Sequence, residues 1–214
     1  MTELAAELSE EQTVTRVPAL PAWTVRDTYA HLAGLSTEVL DGTLATRATD
    51  EDTARQVEHR AGLGLAALCA EWGEAGPGIE EFLAGPKGYR YHLMVQDLWN
   101  HEQDVLGALG LEQARADATT AAASELLLEM YARAWAKFEL SPAIRVRTAS
   151  ADRVIGVGEP AVTLDTTDFE LVRMLIGRRT AAEMRAAGWS GGEPSAEVLE
   201  RLHFFPVPEH PLGE

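Results

Sequence analysis

The sequence predicts a mainly α protein, in which a four-helix bundle over residues 1–141 is followed by a small α/β domain over residues 142–214. Two observations predict this fold class. Apolar residues recur at helical spacing among strong helix formers in four long stretches, which are residues 24–47, 52–73, 88–109 and 117–140. After Ser141 and Pro142 the pattern changes to short alternating runs, which are typical of strands.

The first bundle helix has a recognisable start at Thr24. This residue is a predicted N-cap, and Asp27 three residues later approximates a capping box. The predicted buried stripe of this helix consists of Val25, Tyr29, Leu32, Leu35 and Val39. Upstream, only residues 4–8 look helical before the helix breakers Pro18 and Pro21. The bundle is therefore either incomplete on this side or closed by a partner subunit, and both a monomer and a homodimer are consistent with the sequence.

Glycine and proline separate the remaining helices. Breaks are predicted at residues 73–78, at residues 85–88 and at Gly110. Between the last two breaks lies the third helix, whose apolar stripe is predicted to face the core and consists of Met94, Leu98, Val105 and Leu109.

The carboxy-terminal part predicts a small antiparallel sheet with a few helices. Its three strand-like runs are residues 144–148, 153–157 and 161–164. Either Asp165 or Thr167 can cap the helix that follows. The chain after His203 is rich in proline, which predicts an irregular tail.

Composition excludes several classes of partner. The 214-residue chain carries a formal net charge of -16, with a pI near 4.7. Nucleic-acid backbones and anionic membranes attract basic surfaces, so neither is an expected partner. No apolar run approaches the length of a membrane-spanning helix, and the start of the chain lacks the basic residues of a secretion signal. We therefore expect a cytoplasmic protein.

Cys69 is the only cysteine. A single cysteine excludes both an internal disulfide and a metal site built from several cysteines. Its neighbours in sequence are apolar, which favours a small buried hydrophobic residue over a nucleophile.

Asp97 and His101 form the most informative pair in the chain. They lie one helical turn apart, so that both side chains leave the same face of the third helix, beside its apolar stripe. One divalent ion can bridge such a pair, but a salt bridge or a hydrogen bond on a helix flank explains the same spacing. His31, at the margin of the first helix's buried stripe, is a candidate third ligand, although a histidine in such a position is by itself more often a hydrogen-bonded residue between helices.

Three segments, 23–34, 60–72 and 97–110, occur in the same order as in a known family. They resemble the mycothiol-dependent maleylpyruvate isomerase family, within the DinB-like superfamily of metal-binding helical bundles. A looser resemblance covers residues 144–192, where the run Gly177-Arg178-Arg179-Thr180 resembles the small carboxy-terminal domain of that family.

The resemblance implies a divalent metal held by His31, Asp97 and His101. Zinc is the first candidate, and Ni²⁺ or Fe²⁺ suit the same two-histidine, one-carboxylate set. Three protein ligands leave a position for water or substrate, as in catalytic zinc sites. This chain departs from the family in having Asp97 where the characterised isomerase has glutamate, which shortens the side chain by one methylene.

The resemblance also implies mycothiol as a thiol cosubstrate. In the family reaction, the thiolate adds to the cis double bond of maleylpyruvate, the resulting single bond rotates, and elimination gives the trans product, so that covalent catalysis splits one isomerisation into easier steps. We expect an isomerase or S-transferase that acts on a small electrophilic, carboxylated substrate. A non-catalytic metal- or ligand-binding DinB-like protein of stress or detoxification remains an alternative, as does a zinc-dependent hydrolase that needs no thiol.

Three further residues are candidates for the catalytic site. Asp104, one turn beyond His101, is expected to orient a ligand imidazole, to bind the cosubstrate, or to be an exposed helix charge. By motif, Arg178 and Arg179 are the best candidates to bind substrate carboxylates, because guanidinium groups bind carboxylates through two hydrogen bonds. Favourable contact with a helix end and with solvent explains one of the two arginines at least as well. Arg26, Arg60 and Arg90 are weaker candidates for the same role.

Overall fold

The computed structural model describes residues 1–44, 48–86, 88–113, 115–137 and 143–213. It is mainly helical, with a small sheet towards the carboxy terminus, so the predicted fold class is confirmed. The chain divides into two compact units, Met1–Glu112 and Gln113–Gly213. The predicted domain boundary after residue 141 falls among residues 138–142, outside the described part of the chain, and stays a prediction.

The first unit begins with two short helices and a β-hairpin. These elements are α1 (Thr2–Glu7), α2 (Glu10–Thr13), β1 (Arg16–Val17) and β2 (Leu20–Thr24). The two strands pair in antiparallel fashion, with Arg16 opposite Thr24. The hairpin was not predicted because Pro18 and Pro21 were interpreted only as helix breakers. Proline is also compatible with a turn and with an edge strand, which are the positions that Pro18 and Pro21 occupy here.

Helix α3 (Val25–Leu40) starts where the sequence predicts. The side chain of Thr24 accepts a hydrogen bond from the backbone of Asp27, and the Asp27 carboxylate accepts one from the backbone N–H of Thr24 at 2.9 Å. All five residues of the predicted stripe are buried. The last three residues of the predicted helix, 45–47, lie outside the described residues.

The prediction of a single helix over residues 52–73 is wrong. The chain instead forms α4 (Asp50–His59) and α5 (Leu65–Ala84), and Gly64 is the N-cap of α5. Helix α5 continues through the break predicted at residues 73–78, with Pro77 inside it. Packing against α3 compensates for these poor helix formers. The break predicted at residues 85–88 does end α5, although Lys87 itself lies outside the described residues.

A 3₁₀ turn (Gly88–Tyr91) leads into α6 (His92–Ala108), and the helix ends before Gly110, whose φ of +63° suits glycine. The predicted apolar stripe on this helix is only partly correct. Val105 is fully buried, but Leu98 is 36% exposed. Most of the buried residues of α6 are polar or charged, and these are Gln96, Asn100, His101, Gln103 and Asp104. Because its buried face is largely polar, α6 can supply side chains to a polar site inside the first unit.

The core of the first unit joins the hairpin to the three long helices. One apolar cluster combines residues from β1, α3, α5 and α6, namely Val17, Val25, Tyr29, Ala30, Leu68 and Val105. This cluster fixes α3 beside α6 and so determines where the polar residues of the two helices meet.

The second unit contains α7 (Ala118–Lys137), which packs against α8 (Asp168–Leu175). The predicted end of α7, at residue 140, lies outside the described residues. Thr167 is the N-cap of α8 and accepts a hydrogen bond from the backbone of Glu170 at 3.1 Å. The unit also has α9 (Ala181–Arg185) and α10 (Ala196–Arg201), and residues 203–213 form the predicted irregular tail.

The sheet of the second unit is mixed, whereas the sequence predicted an antiparallel one. Its strands are β3 (Ile144–Arg147), β4 (Asp152–Ile155), β5 (Val162–Asp165) and β6 (Trp189–Ser190), in the order β4-β3-β5-β6. Strand β3 is antiparallel to β4 but parallel to β5. The three predicted strands are therefore present, and their pairing is different because β4 folds to the outer side of β3.

Candidate metal centre

Three side chains from two helices meet in the first unit. His31 comes from α3, and Asp97 and His101 come from α6. The Nε2 atom of His31 lies 2.9 Å from Oδ2 of Asp97, and the Nε2 atom of His101 lies 3.4 Å from Oδ1 of the same carboxylate. In the part of the chain that the structure describes, this group brings three ligand atoms within 4.8 Å of one another.

The donor set and its spacing fit a divalent metal. Zinc bonds to histidine nitrogen and carboxylate oxygen of about 2.0–2.2 Å place the ligand atoms of a tetrahedral site about 3.3 Å apart. The two distances around Asp97, 2.9 and 3.4 Å, fall close to that spacing. The shorter reach of an aspartate therefore does not prevent this carboxylate from approaching both imidazoles.

The site is closed on the side of the imidazoles and more open at the carboxylate. His31 and His101 are 2% and 6% exposed, whereas the side chain of Asp97 is 37% exposed. A small molecule can therefore approach the group from the side of Asp97.

The charges of the group are strongly coupled. Burial alone would lower the pKa of His101, but the negative charge of Asp97 and a hydrogen bond to Asp104 raise the pKa to about 9. Partial burial would raise the pKa of Asp97, yet the neighbouring His101 and hydrogen bonds from both imidazoles hold that pKa well below its usual range. In the metal-free protein, Asp97 is therefore a carboxylate that accepts hydrogen bonds from the imidazoles.

Asp104 is buried against His101. Its Oδ2 atom lies 3.3 Å from Nδ1 of His101, and the residue is 1% exposed. An exposed helix charge, one of the three interpretations left open by the sequence, does not agree with this burial. The position suits a carboxylate that orients the imidazole and increases its basicity.

Gln56 makes the corresponding contact to His31, and the sequence did not predict it. Its Oε1 atom lies 2.7 Å from Nδ1 of His31, and the residue is completely buried. A polar residue among the charged residues of α4 gives no signal by itself. The available signal was Gly34, since a glycine one turn after a candidate ligand in a helix indicates that another element packs closely there.

Trp23, from strand β2, covers the two imidazoles. Its ring centroid lies 5.1 Å from that of His31 and 6.0 Å from that of His101. The half-buried indole therefore forms an aromatic wall beside the candidate ligands. Trp23 belongs to the segment that carries the family resemblance, but its position beside the site depends on the hairpin, which was not predicted.

The predicted arginines have different surroundings. Arg179 is 7% exposed and forms two hydrogen bonds to the carboxylate of Glu170, at 2.7 and 2.9 Å. Arg178 is half-buried and donates a weak hydrogen bond to the backbone of Ile176 at 3.4 Å. The guanidinium fork of Arg179 is thus already bound to a carboxylate of its own unit.

Two of the three arginines named as weaker candidates to bind a substrate carboxylate also have structural partners within the first unit. Arg26 donates to the backbone carbonyls of Arg60 and Leu63 at 2.9 and 3.0 Å, which ties the end of α4 to α3. Arg60 forms an ion pair with Glu71. The side chain of the third, Arg90, lies outside the described part of the chain.

Cys69 packs against the apolar cluster of the first unit. Partial burial raises the pKa of its thiol. The side chain is only partly buried, whereas the sequence predicted a buried one, but both observations favour a hydrophobic role over a nucleophile, because a reactive cysteine needs a lowered pKa.

The first unit is a helical domain with a candidate metal centre, whose ligands are two histidines and an aspartate from two packed helices. The family model described as the mycothiol maleylpyruvate isomerase N-terminal domain matches residues 1–106. Through this amino-terminal domain, the chain belongs to the mycothiol maleylpyruvate isomerase family.

Solved structures support the same fold. The chain is similar to the crystal structure of a histidine-to-alanine mutant of the mycothiol-dependent maleylpyruvate isomerase, with a TM-score of 0.59 and 12% identity over 91% of this chain and 88% of that one. A second crystal structure of the mycothiol-dependent maleylpyruvate isomerase gives a TM-score of 0.53, at the same identity and coverage. At 12% identity, this similarity concerns the fold.

No curated protein sequence matches the chain. Among the described residues, no helix combines the length and the apolar character needed to span a membrane.

Proposed function

We propose that this protein is a metal-dependent isomerase or S-transferase. It would use a low-molecular-weight thiol, mycothiol, and act on a small electrophilic, carboxylated substrate. The observation that carries the proposal is the convergence of His31, Asp97 and His101 at metal-ligand spacing, with one exposed side. Membership of the mycothiol maleylpyruvate isomerase family supports the thiol, and the two similar solved structures are described as mycothiol-dependent enzymes.

His31, Asp97 and His101 would hold the metal, with zinc as the first candidate. When bound, a divalent metal lowers the pKa of a thiol or water placed beside it and so supplies a nucleophile at neutral pH. The chain's own residues fix the imidazoles: Asp104 faces Nδ1 of His101, and Gln56 faces Nδ1 of His31. Trp23 excludes water from one side of the two rings.

The proposed reaction is nucleophilic catalysis by the thiol. The thiolate adds to an activated carbon–carbon double bond, rotation about the new single bond follows, and elimination of the thiolate restores the double bond in the trans geometry. The lone cysteine of the chain is a poor source of this thiol, because Cys69 is partly buried against the apolar cluster and its pKa is raised. The thiol must therefore come from a cosubstrate, and a location in the reducing cytoplasm would keep that cosubstrate reduced.

A substrate carboxylate needs a cationic partner. Arg178 and Arg179, which the family resemblance indicates, are the residues proposed for this role, and Arg179 would have to exchange its two hydrogen bonds to Glu170 for bonds to the substrate. Replacement of Arg178 by glutamine is expected to raise the Michaelis constant for a carboxylated substrate more than it lowers kcat.

The first experiment is elemental analysis of protein purified without a histidine tag. About one divalent metal per chain is expected in the wild type, and His31→Ala and His101→Ala should each lose most of it while they keep their helical content. His92→Ala is the matched control, because His92 is an exposed residue of the same helix as His101. Metal bound equally by all four proteins would exclude the proposed ligands.

Turnover then separates the candidate activities. Metal-loaded protein is incubated with maleylpyruvate, with and without mycothiol. Activity that requires the thiol supports the proposal, whereas hydrolysis of ester or amide substrates without thiol would identify the zinc-dependent hydrolase instead. Metal binding without either activity would identify a non-catalytic binding protein.

A further inference from the structure

The contact between Gln56 and His31 continues to a third residue. The amide Nε2 of Gln56 donates a hydrogen bond of 2.8 Å to Oε2 of Glu38, while its Oε1 lies 2.7 Å from Nδ1 of His31. Gln56 is 0% exposed, so water does not replace either partner. A buried amide with partners on both sides is held in one orientation.

That orientation determines which nitrogen of His31 carries a proton. An ionised carboxylate only accepts hydrogen bonds, so the NH₂ group of Gln56 must point to Glu38 and its oxygen must point to His31. The Nδ1 atom of His31 is then the donor in its contact with Gln56. Nε2 is consequently the nitrogen that is left to bind a metal, and in the metal-free protein this atom faces Asp97 at 2.9 Å.

The surrounding residues support this arrangement. Glu38 also accepts a hydrogen bond from Arg55 at 3.2 Å, and Arg55 lies next to Gln56 on α4. His31, Gly34 and Glu38 lie on one face of α3, at intervals of three and four residues. A Cβ atom at Gly34 would lie 2.9 Å from both Cβ and Cγ of Gln56. Because Gly34 has no side chain, the side chain of Gln56 has room to pass close to α3 between Glu38 and His31.

We propose that Gln56 is a positioning residue that fixes the Nδ1-protonated tautomer of His31 and thereby presents Nε2 to the metal, with Glu38 fixing the amide. This inference rests on the proposed function, and it assigns a role to residues outside the ligand set. Gln56 acts through His31 and contacts neither the substrate nor the reacting atoms. The two histidines then differ in the hydrogen-bond partner of Nδ1. The partner is the neutral amide of Gln56 at His31 and the carboxylate of Asp104 at His101.

The test compares Gln56→Met, which preserves length and removes the acceptor, with Glu38→Gln, which allows the amide of residue 56 to reverse. Glu58→Gln is the control, because it makes the same chemical change at an exposed position of α4. For each protein, zinc affinity is measured by competition with a chelator. The protonated nitrogen of His31 is identified in the zinc-loaded protein by ¹H–¹⁵N NMR of the imidazole.

Gln56→Met is expected to weaken zinc binding by about 10- to 100-fold, as is usual for the loss of a hydrogen-bond partner of a ligand histidine. Glu38→Gln should weaken it by a smaller factor, and Glu58→Gln should leave it unchanged. The slowly exchanging Nδ1 proton of His31 should be present in the wild type and exchange rapidly in Gln56→Met.

Wild-type zinc affinity together with a retained Nδ1 proton in Gln56→Met would overturn the inference and leave the proposed function intact. If Gln56→Met does not fold, Glu38→Gln decides, and zinc affinity equal to that of Glu58→Gln would overturn the inference. A wild-type protein that binds no divalent metal would overturn the proposed function and this inference with it.

Discussion

The carboxylate of Asp97 lies 2.9 Å from the imidazole Nε2 of His31, although the two residues belong to different helices. It also lies 3.4 Å from His101, one turn further along its own helix. One carboxylate therefore links both imidazoles, and its charge determines how the group responds to metal and to pH.

Asp97→Asn should reduce zinc affinity strongly, because an amide is neutral and is a poorer zinc ligand than a carboxylate. Asp97→Glu, which introduces the residue expected from the family resemblance, should retain about one zinc per chain, since both carboxylates suit zinc. Isothermal titration of the metal-free variants with zinc measures both effects. Equal affinity of Asp97→Asn and the wild type would show that Asp97 is not a ligand.

Asp104→Asn should weaken zinc binding by about 10- to 100-fold, because the variant removes the negative partner of His101 Nδ1. Glu102→Gln, on the same helix but 36% exposed at the side chain, provides the control. Zinc competition with a chelator measures both variants. A loss of the same size in Glu102→Gln would attribute the effect to the total charge of α6 and not to the contact with His101.

The sequence predicted those parts of the site that depend on local spacing. Asp97 and His101 lie one turn apart on any helix, and the capping box of Thr24 and Asp27 fixed the phase of α3, so that His31 could be placed near its buried face. The pairing of the two helices came from the resemblance, because spacing within one helix does not show which other helix lies opposite.

The parts that were not predicted depend on contacts between distant elements. Gln56 reaches His31 only because the predicted helix over residues 52–73 is in fact two helices, and Gly62 and Gly64 between them were the overlooked signal. Trp23 covers the imidazoles because of a hairpin that contains two prolines. The largely polar buried face of α6 was also missed, since hydrophobic periodicity identifies a core only where the core is apolar.

Trp23 should report metal binding by fluorescence. Its indole lies 5.1 Å from the ring of His31, so a cation bound at that imidazole changes the electric field at the indole. Addition of zinc should change the emission of the wild type and leave that of Trp23→Phe unchanged. Trp72→Phe is the control, because Trp72 lies against Tyr29 and outside the candidate ligand group. A zinc response that disappears in Trp72→Phe and persists in Trp23→Phe would contradict the assignment.

Gly34→Ala should destabilise the protein, whereas alanine at Gly73 should stabilise it. Both glycines lie within helices, where alanine is favoured by up to about 1 kcal/mol. A Cβ atom at Gly34 would lie 2.7 Å from Arg60 and 2.9 Å from Gln56, but a Cβ atom at Gly73 in α5 meets nothing within 4 Å. Overpacking of about 1–3 kcal/mol should therefore exceed the gain in helix propensity only at Gly34. Urea unfolding of metal-free protein measures the free energy of unfolding of each variant, and a stabilised Gly34→Ala would show that α4 does not pack closely there.

Metal-free protein should lose stability as the pH rises from about 6.5 to about 9. Contacts with Asp97 and Asp104 raise the pKa of His101 to about 9 in the folded state, despite the opposing effect of burial. In the unfolded state, His101 has the ordinary histidine pKa near 6.5. Below that pH, the raised pKa of the folded state contributes its full amount to the free energy of unfolding. This contribution is lost as the pH rises through the pKa of the folded state. Thermal unfolding in the presence of a chelator should show the fall in the wild type and a smaller one in His101→Gln. Zinc competes with the same protons, so zinc affinity should increase over this range while metal-free stability decreases. A metal-free wild type whose unfolding temperature rises between these two pH values would contradict the assigned charge state of the group.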